Sequence, residues 1–273
     1  MTGVGTLPNF LIVGALRSGT MSLARYLGSH PDVFVAPQKE VRYFDRNFER
    51  GIEWYARQFS GVAGEAAVGE ATPTYMYEEL ARERMQEKLP EARLIAVLRN
   101  PVDRAYSHYW LNRATGIETL GFAAALELEA RRLDRGEARY AYADRGRYLR
   151  YLRRLCDLYH RGSLLSILFE DLRDRPEVTY RSVCHFLDVD ARFVPTNLGR
   201  PVNGFVTFRS PRLRSMTRSL PRPMRNAVGR LNTRPTSYPP MDPSLRKDLL
   251  QRFAEDNKAL AEWLGTDLAV WRT

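Results

Sequence analysis

Five short apolar runs, separated by helix-length segments, constrain the fold of this chain more than any other feature of its sequence. Continuous apolar runs of this length predict strands that are buried on both faces, as in the middle of a parallel sheet. The runs occupy residues 10–13, 33–36, 66–70, 94–98 and 164–169, of which 66–70 (AAVGE) is the weakest. Strands that alternate with helices predict an α/β fold, with a parallel sheet of about five strands flanked by helices on both faces.

Capping signals place helices between these runs. A helix over 18–27 is predicted to end at Gly28, because glycine readily adopts the left-handed conformation that ends helices. Asn100 and Pro101 open a helix that reaches about Asn112, since Asn caps and Pro is tolerated at the first position. Further helices are predicted over 122–135, 148–160, 176–187 and 243–265.

Length and composition predict one domain over residues 1–273. A chain of 273 residues with 44% hydrophobic composition can bury a large core. The stretch 199–240, rich in Arg, Pro, Ser and Asn, shows no clear pattern and predicts a mobile cofactor or acceptor loop. No run reaches the ~18 apolar residues of a transmembrane helix, so we expect a protein of the cytoplasm. Cys156 and Cys184 lie in helix-like segments and predict buried thiols in a reducing compartment.

The net charge of +10 indicates an anionic partner. The arginines are scattered, and the chain lacks a basic helix, a zinc-binding spacing or an aromatic RNA motif. A small anion is therefore favoured over nucleic acid, although most of these arginines are expected to be simply solvated. No metal site is predicted, and the sequence does not indicate an oligomeric state.

The stretch from Gly14 to Thr20 has the character of a P-loop-like anion site. A strand that ends at Gly14 and a helix that follows present backbone amides and a positive helix end to an anion. Nucleoside triphosphate loops require Lys directly after the second Gly, then Ser or Thr for magnesium. Here Thr20 and Met21 follow Gly19, and the cation is Arg17. A sulfuryl group, which side chains and amides alone can neutralise, fits such a loop.

GALRSGTMSL resembles the 5′-phosphosulfate loop of sulfotransferases that use 3′-phosphoadenosine 5′-phosphosulfate (PAPS). The resemblance implies that Arg17, Ser18, Gly19, Thr20 and Met21 bind this donor without a metal ion. It also implies that Arg17, which stands where many members carry Lys, stabilises the charge on the departing phosphate oxygen during catalysis.

RLIAVLRNPVDRAYSHYW, residues 93–110, resembles the 3′-phosphate motif of the same family, with Arg99 at the end of a strand and Ser107 eight positions later. The resemblance implies that both residues bind the 3′-phosphate of the nucleotide. A guanidinium fork and a hydroxyl donor suit a phosphate dianion. Taken singly, Arg99 could be a surface residue and Ser107 a solvent-facing helix residue.

APQKEVRYFD, residues 36–45, resembles the segment that supplies a catalytic Glu in heparan sulfate type sulfotransferases. Glu40 occupies that position and is predicted to be the general base, because an alcohol must lose its proton as it attacks. The alternative is that Glu40 pairs with Lys39 or Arg42 on the surface.

GEATPTYMY, from Gly69, resembles a substrate-side stretch in which some members carry Lys at the position of Ala71. Arg42 or Arg17 could supply this missing charge, and Glu70 is a second carboxylate for structure, acceptor binding or proton transfer.

Two further segments complete the set of predicted site residues. DRGRYLRYL resembles the family's glycine and tyrosine stretch, so Tyr148 joins Arg42 and Glu70 as a predicted substrate-binding residue. Within 199–240, Asn203 and Arg209 are predicted to contact the cofactor.

The function predicted is transfer of the sulfuryl group of PAPS to a hydroxyl, or with less support an amine, which leaves 3′-phosphoadenosine 5′-phosphate (PAP). Aromatic residues lie between 116 and 148, at Phe122, Tyr140 and Tyr142, in a region that family members use to face the acceptor. The resemblance therefore implies a small-molecule, lipid, polyketide or glycoside acceptor as readily as a polysaccharide, and the chain resembles soluble bacterial members. Two alternatives stay open: a P-loop kinase of small molecules, and a non-catalytic nucleotide-binding protein.

Overall fold

Five parallel strands form one sheet in the computed structural model, which describes residues 5–200 and 238–272 and the backbone of 206–208 and 233–235. The sheet has the order β2-β3-β1-β4-β5. Its strands are β1 (Phe10–Gly14), β2 (Val33–Val35), β3 (Ala67–Ala71), β4 (Arg93–Leu98) and β5 (Leu164–Leu168). The five predicted strands are thus confirmed, including the weak one, and each observed bound lies within one residue of the predicted one.

The central strand β1 shows why the apolar runs are continuous. Phe10 and Ile12 pack into the core on one face of the sheet, and Leu11 and Val13 pack into the core on the other. All four side chains are fully buried. A strand between two helical layers has no solvent-facing side, so apolar residues do not alternate with polar ones.

Helices cover both faces of this sheet, as predicted. Helix α1 (Thr20–Leu27) and helix α9 (Pro176–Phe186) bury apolar residues against one face. Helices α3 (Glu79–Lys88) and α7 (Tyr148–Cys156) pack against the other. The other α-helices of the described residues are α2 (Ile52–Ala56), α4 (Pro101–Thr115), α5 (Phe122–Glu127), α6 (Glu129–Asp134), α8 (Phe169–Asp174) and α10 (Pro243–Leu264).

Some helix bounds differ from the prediction. The expected helix over 122–135 is interrupted at Leu128, whose ψ of −5° lies outside the regular helical range, and so becomes α5 and α6. Helix α4 continues beyond Asn112 and stops at Gly116, which adopts the left-handed conformation with φ 72°. The expected helix over 148–160 ends at Cys156, and His160 instead caps a separate short turn, where its ring accepts the amide of Gly162.

The segment 199–240 is described only in part. The backbones of Val206–Phe208 and Thr233–Pro235 pair as antiparallel strands β6 and β7. The prediction of a mobile loop concerns residues that lie mostly outside the described ones, and it stays a prediction, as does the single domain. Cys156 and Cys184 are free thiols, of which Cys184 is buried. No helix within the described ranges is long and apolar enough to cross a membrane.

Gly69 in β3 provides a test of the sheet packing. A Cβ atom at this position would lie 2.5 Å from the ring of the buried Phe10 in β1. We expect Gly69→Ala to lower the free energy of unfolding by about 1–3 kcal/mol, because the added methyl overpacks the core. Urea unfolding measures this change. The control is Gly121→Ala, where a Cβ meets open space. Equal stability of the two variants would contradict the packing described.

Candidate active site

The loop between β1 and α1 lies at the carboxyl edge of the sheet. Gly19 precedes α1 with φ 85°, and a Cβ there would lie 2.7 Å from the ring of Phe169. Glycine is required at this position for both reasons. The first amides of a helix have no partner within the helix. Thr20 and Met21 therefore present their N–H groups at the positive end of α1, as an anion site needs.

Arg17 joins the two predicted parts of the site. Its backbone is in the left-handed region with φ 71°, and its Nε donates a hydrogen bond to Ser107 Oγ at 3.0 Å. Burial lowers the pKa of the Arg17 guanidinium, and the charge of Arg99 lowers it further. Arg99 Nη1 donates to the carbonyl oxygen of Arg17 at 3.2 Å. The residues of the two motifs, 82 and 90 positions apart, are thus in direct contact.

The turn after β4 is held from two sides. The guanidinium of Arg99 lies over the ring of Phe169 at 4.9 Å. The backbone carbonyl oxygen of Arg99 accepts a hydrogen bond from the hydroxyl of Tyr148 at 2.8 Å. Glu170 accepts the backbone N–H of Asn100 at 2.9 Å, and the Asn100 side chain caps α4. These contacts orient Arg99 before any ligand binds.

One cavity of about 360 Å³ collects most of the predicted site. Seven predicted residues line it: Arg17, Gly19, Thr20, Met21, Glu40, Arg99 and Ser107. In residues 5–200 and 238–272, neither Arg17 nor Arg99 forms an ion pair. Lys39 adds a third cation to the lining. Two unpaired guanidinium groups that face one cavity attract a ligand with more than one negative charge.

Glu40 supplies the carboxylate of this cavity. It is half-buried, and its backbone is in the left-handed region with φ 53°. The alternative that Glu40 pairs with Arg42 is not observed, because Arg42 Nη2 pairs with Asp45 at 2.8 Å. Nor does Glu40 form an ion pair with Lys39 within the described part of the chain. Its charge acts on Arg17, where it partly offsets the lowering of that pKa by burial.

Other predicted residues lie outside the cavity lining. Ser18 is fully buried beside Tyr148, and its hydroxyl oxygen lacks a partner at good hydrogen-bonding geometry among the described residues. Tyr148 and Glu70 are 1% exposed, and Arg42 is bound to Asp45. The substrate-binding role of Arg42, Glu70 and Tyr148 stays a prediction. Asn203 and Arg209 lie outside the described residues.

Glu70 is enclosed by three hydroxyl groups. Its Oε1 accepts from Tyr75 at 2.7 Å and from Tyr55 at 3.1 Å, and its Oε2 accepts from Thr72 at 2.6 Å. Burial raises the pKa of Glu70 to about 7, although the hydrogen bonds from Thr72, Tyr75 and Tyr55 oppose this rise. The sequence showed that Glu70 lies in a substrate-side motif. It could not show that the hydroxyls of Tyr55, Tyr75 and Thr72 enclose this residue.

Sequence reasoning missed several residues that line the cavity, among them Pro73, Phe169 and Tyr238. Tyr238 stacks on Trp110 with centroids 6.2 Å apart and meets Tyr106 edge-on at 5.4 Å. The Tyr106 hydroxyl also donates to the carbonyl oxygen of Pro239 at 3.0 Å. The end of the 199–240 segment is therefore packed on α4 beside the cavity. Only its aromatic character and the two following prolines could have signalled a docked residue.

The described residues contain no group of three or more His, Cys, Asp or Glu side chains arranged to hold a metal ion.

Comparison with known proteins identifies similar sequences. The family model described as Sulfotransferase domain matches residues 7–202. Human bifunctional heparan sulfate N-deacetylase/N-sulfotransferase 2 is 32% identical over 201 residues, covering 67% of this chain and 22% of that protein. Membrane-associated sulfotransferase kil1 of Dictyostelium discoideum is 39% identical over 115 residues, covering 39% of this chain and 24% of that protein. The chain thus spans less than a quarter of the length of these curated relatives.

Solved structures of other proteins are also similar to the structure of this chain. A sulfotransferase from Alicyclobacillus acidocaldarius has a TM-score of 0.77 at 31% identity, covering 98% of this chain and all of that one. The sulfotransferase domain from the curacin biosynthetic pathway has a TM-score of 0.52 at 13% identity, covering 97% and 100%. The second comparison shows a shared fold only.

The raised pKa of Glu70 predicts a pH dependence of stability. Between pH 4.5 and about 7, the unfolded chain releases the Glu70 proton while the folded protein keeps it. The contribution of Glu70 to stability is therefore greatest below pH 4.5 and falls as the pH rises through 7, by about 3 kcal/mol. Glu70→Gln removes this fall, which urea unfolding at pH 5 and pH 8 measures. The exposed Glu91→Gln serves as control and keeps the wild-type pH dependence. The same fall in Glu70→Gln as in wild type would contradict the assignment.

Proposed function

Because the chain belongs to the sulfotransferase domain family, we propose that it transfers a sulfuryl group from PAPS to a hydroxyl group, or less readily an amine, of an organic acceptor. The observation that supports this most is the single cavity, where residues of three separate sequence segments meet. Two of these segments contribute a cation and the third contributes a carboxylate, and none of these groups forms an ion pair with a described residue.

The residues of the cavity suit a nucleotide with phosphate at two positions. The amides of Gly19, Thr20 and Met21, with the side chain of Arg17, would hold the 5′-phosphosulfate end. Arg99 and Ser107 would hold the 3′-phosphate, since a guanidinium and a hydroxyl both donate to phosphate oxygens. Arg17 donates to Ser107 in the structure described, so donor binding would exchange this contact for contacts with ligand oxygens.

Glu40 is proposed as the general base. It would accept the acceptor's hydroxyl proton while the oxygen forms a bond to sulfur and the bond from sulfur to the 5′-phosphate oxygen breaks. The products are a sulfate ester, PAP and a proton on Glu40. Arg17 would stabilise the negative charge that develops on the departing phosphate oxygen. Burial of Arg17 strengthens this effect, because charges interact more strongly away from water.

The acceptor is proposed to be a small molecule, a lipid or a glycoside. Aromatic residues between 116 and 148 were expected to face it, and the structure buries Phe122 and Tyr142 in an aromatic cluster while Tyr140 stays half-buried. The human relative is named for heparan sulfate, which adds a glycan to the acceptors to be tested. The cytoplasmic location and bacterial origin stay predictions.

Mass spectrometry tests the proposed function. The protein is incubated with PAPS and a panel of phenols, lipids, glycosides and glycans in the presence of EDTA. The expected result is one acceptor that gains an SO₃ unit, with PAP formed in equal amount. Transfer of phosphate from ATP that depends on magnesium would support a kinase instead. Thermal stabilisation by PAP without turnover of any acceptor would favour a non-catalytic nucleotide-binding protein.

Replacement of Glu40 tests the base. We expect Glu40→Gln to lower kcat by at least about 100-fold, because the amide cannot accept the proton. PAP affinity should stay near that of wild type, as measured by calorimetry. The exposed Glu91→Gln loses the same charge and should keep normal turnover. Near-normal kcat in Glu40→Gln would remove this residue from the role.

Replacement of Arg99 tests the 3′-phosphate site. We expect Arg99→Ala to weaken PAP binding by about 2 kcal/mol, because charge-assisted hydrogen bonds are lost. Calorimetry with PAP measures the change. Arg153 in α7 is exposed and forms no ion pair with a described residue, so Arg153→Ala controls for the loss of net charge. Identical affinities of the two variants would contradict the assignment of Arg99.

A further inference from the structure

The backbone that carries Glu40 adopts unusual conformations. The segment of residues 40–44, called the Glu40 segment below, follows β2 and contains two non-glycine residues in the left-handed region, Glu40 with φ 53° and Arg42 with φ 57°. Between them, Val41 is fully buried. Such conformations are costly for residues other than glycine and persist only where surrounding contacts hold them. The contacts that hold the Glu40 segment therefore determine where the Glu40 carboxylate lies.

Two side-chain hydroxyl groups accept hydrogen bonds from backbone amides of this segment. Thr72 Oγ1 accepts the N–H of Arg42 at 3.2 Å, and the hydroxyl of Tyr75 accepts the N–H of Tyr43 at 2.8 Å and that of Phe44 at 3.5 Å. Both hydroxyl groups belong to the residues that follow β3, the strand beside β2 in the sheet. The neighbouring strand end thus supplies acceptors to the segment that bears the candidate base.

Glu70 orients both hydroxyl groups. A hydroxyl has one proton, so a group that accepts an N–H is still able to donate once. Thr72 and Tyr75 donate this proton to the two oxygens of Glu70, at 2.6 Å and 2.7 Å. Their lone pairs are then turned toward the amides of Arg42 and Tyr43. Glu70 itself lines no part of the cavity and is 1% exposed.

We propose that Glu70 is a positioning residue, which holds the Glu40 segment through Thr72 and Tyr75 so that the Glu40 carboxylate faces the cavity. This inference rests on the proposed function, in which Glu40 is the base. It differs from the acceptor-binding role predicted for Glu70, because a positioning residue acts on kcat through Glu40 and not on acceptor affinity.

Two tyrosines provide a matched pair of variants. Tyr55 and Tyr75 are both buried and both donate to Oε1 of Glu70. Only Tyr75 also accepts an amide of the Glu40 segment. We expect Tyr75→Phe to lower kcat by about 10- to 100-fold, because small displacements of a catalytic group cost this much. Tyr55→Phe should keep kcat within about twofold, as a lost contact away from the reacting groups would. KM for donor and acceptor should change little in either variant.

A double variant separates positioning from general destabilisation. If Tyr75 acts only through Glu40, adding Tyr75→Phe to Glu40→Gln should produce no further loss of kcat. Independent losses that multiply would overturn the proposal. So would equal kcat values for Tyr55→Phe and Tyr75→Phe, or a raised acceptor KM in Glu70→Gln with kcat unchanged.

A second pair covers the case in which Tyr75→Phe does not fold. Thr72→Val removes the other hydroxyl that accepts an amide of the segment, and Thr72→Ser keeps it. Loss of kcat in Thr72→Val with recovery in Thr72→Ser supports the proposal. Equal activity in the two Thr72 variants overturns it.

Hydrogen exchange provides a readout that needs no turnover. The amide of Tyr43 should exchange faster in Tyr75→Phe than in wild type or Tyr55→Phe, because it has lost its acceptor. Faster exchange in a protein that transfers no sulfuryl group would contradict the proposed function but would support the hydrogen-bonded link from Tyr75 to the Glu40 segment. Unchanged exchange in a protein that does transfer a sulfuryl group would overturn this link and leave the proposed function standing.

Discussion

The pairing of β1 with β4 is the interaction on which the site depends. These parallel strands are neighbours, with Ile12 opposite Ile95 and a shift of register between Ile12 and Gly14, and both end at the same edge of the sheet. The loop after β1 carries Arg17, and the turn after β4 carries Arg99, so the register places two guanidinium groups against one cavity. Both strands are buried between the two helical layers. Two positive charges held close together destabilise the free protein, and a bound polyanion would offset this cost.

The two carboxylates of the adjoining region have different environments and correspondingly different proposed uses. Glu40 faces the cavity without a hydrogen-bonding partner in the described part of the chain and is therefore available for proton transfer. Glu70 is enclosed by Tyr55, Tyr75 and Thr72, and burial raises its pKa. Above that pKa its charge reduces stability, so its presence suggests a use other than stability. Orientation of the Thr72 and Tyr75 hydroxyls, which hold the Glu40 segment, is such a use. An ionised carboxylate accepts on both of its oxygens, so Thr72 donates to one and Tyr75 to the other.

The sequence predicted the fold class and the strands well because both depend on local patterns. Apolar runs and caps are read within a few residues, whereas the interruption at Leu128 has no Gly or Pro in 122–135 to signal it. The motif resemblances identified Arg17, Glu40, Arg99 and Ser107, all of which line the cavity. The contact between Arg17 and Ser107 could not be predicted, since strand order is a long-range property. The enclosure of Glu70 was equally invisible, because its partners come from different elements of the fold.

The central claim is that one nucleotide is held at both of its phosphate-bearing ends, by the loop after β1 and by the turn after β4. Calorimetry on the wild-type protein in EDTA, with PAP, adenosine 5′-phosphate and adenosine 3′-phosphate, tests this most directly. We expect PAP to bind at least about 10-fold more tightly than either monophosphate, because each lost phosphate removes charge-assisted hydrogen bonds. Equal affinity for PAP and adenosine 5′-phosphate, or binding of PAP only when magnesium is added, would contradict it.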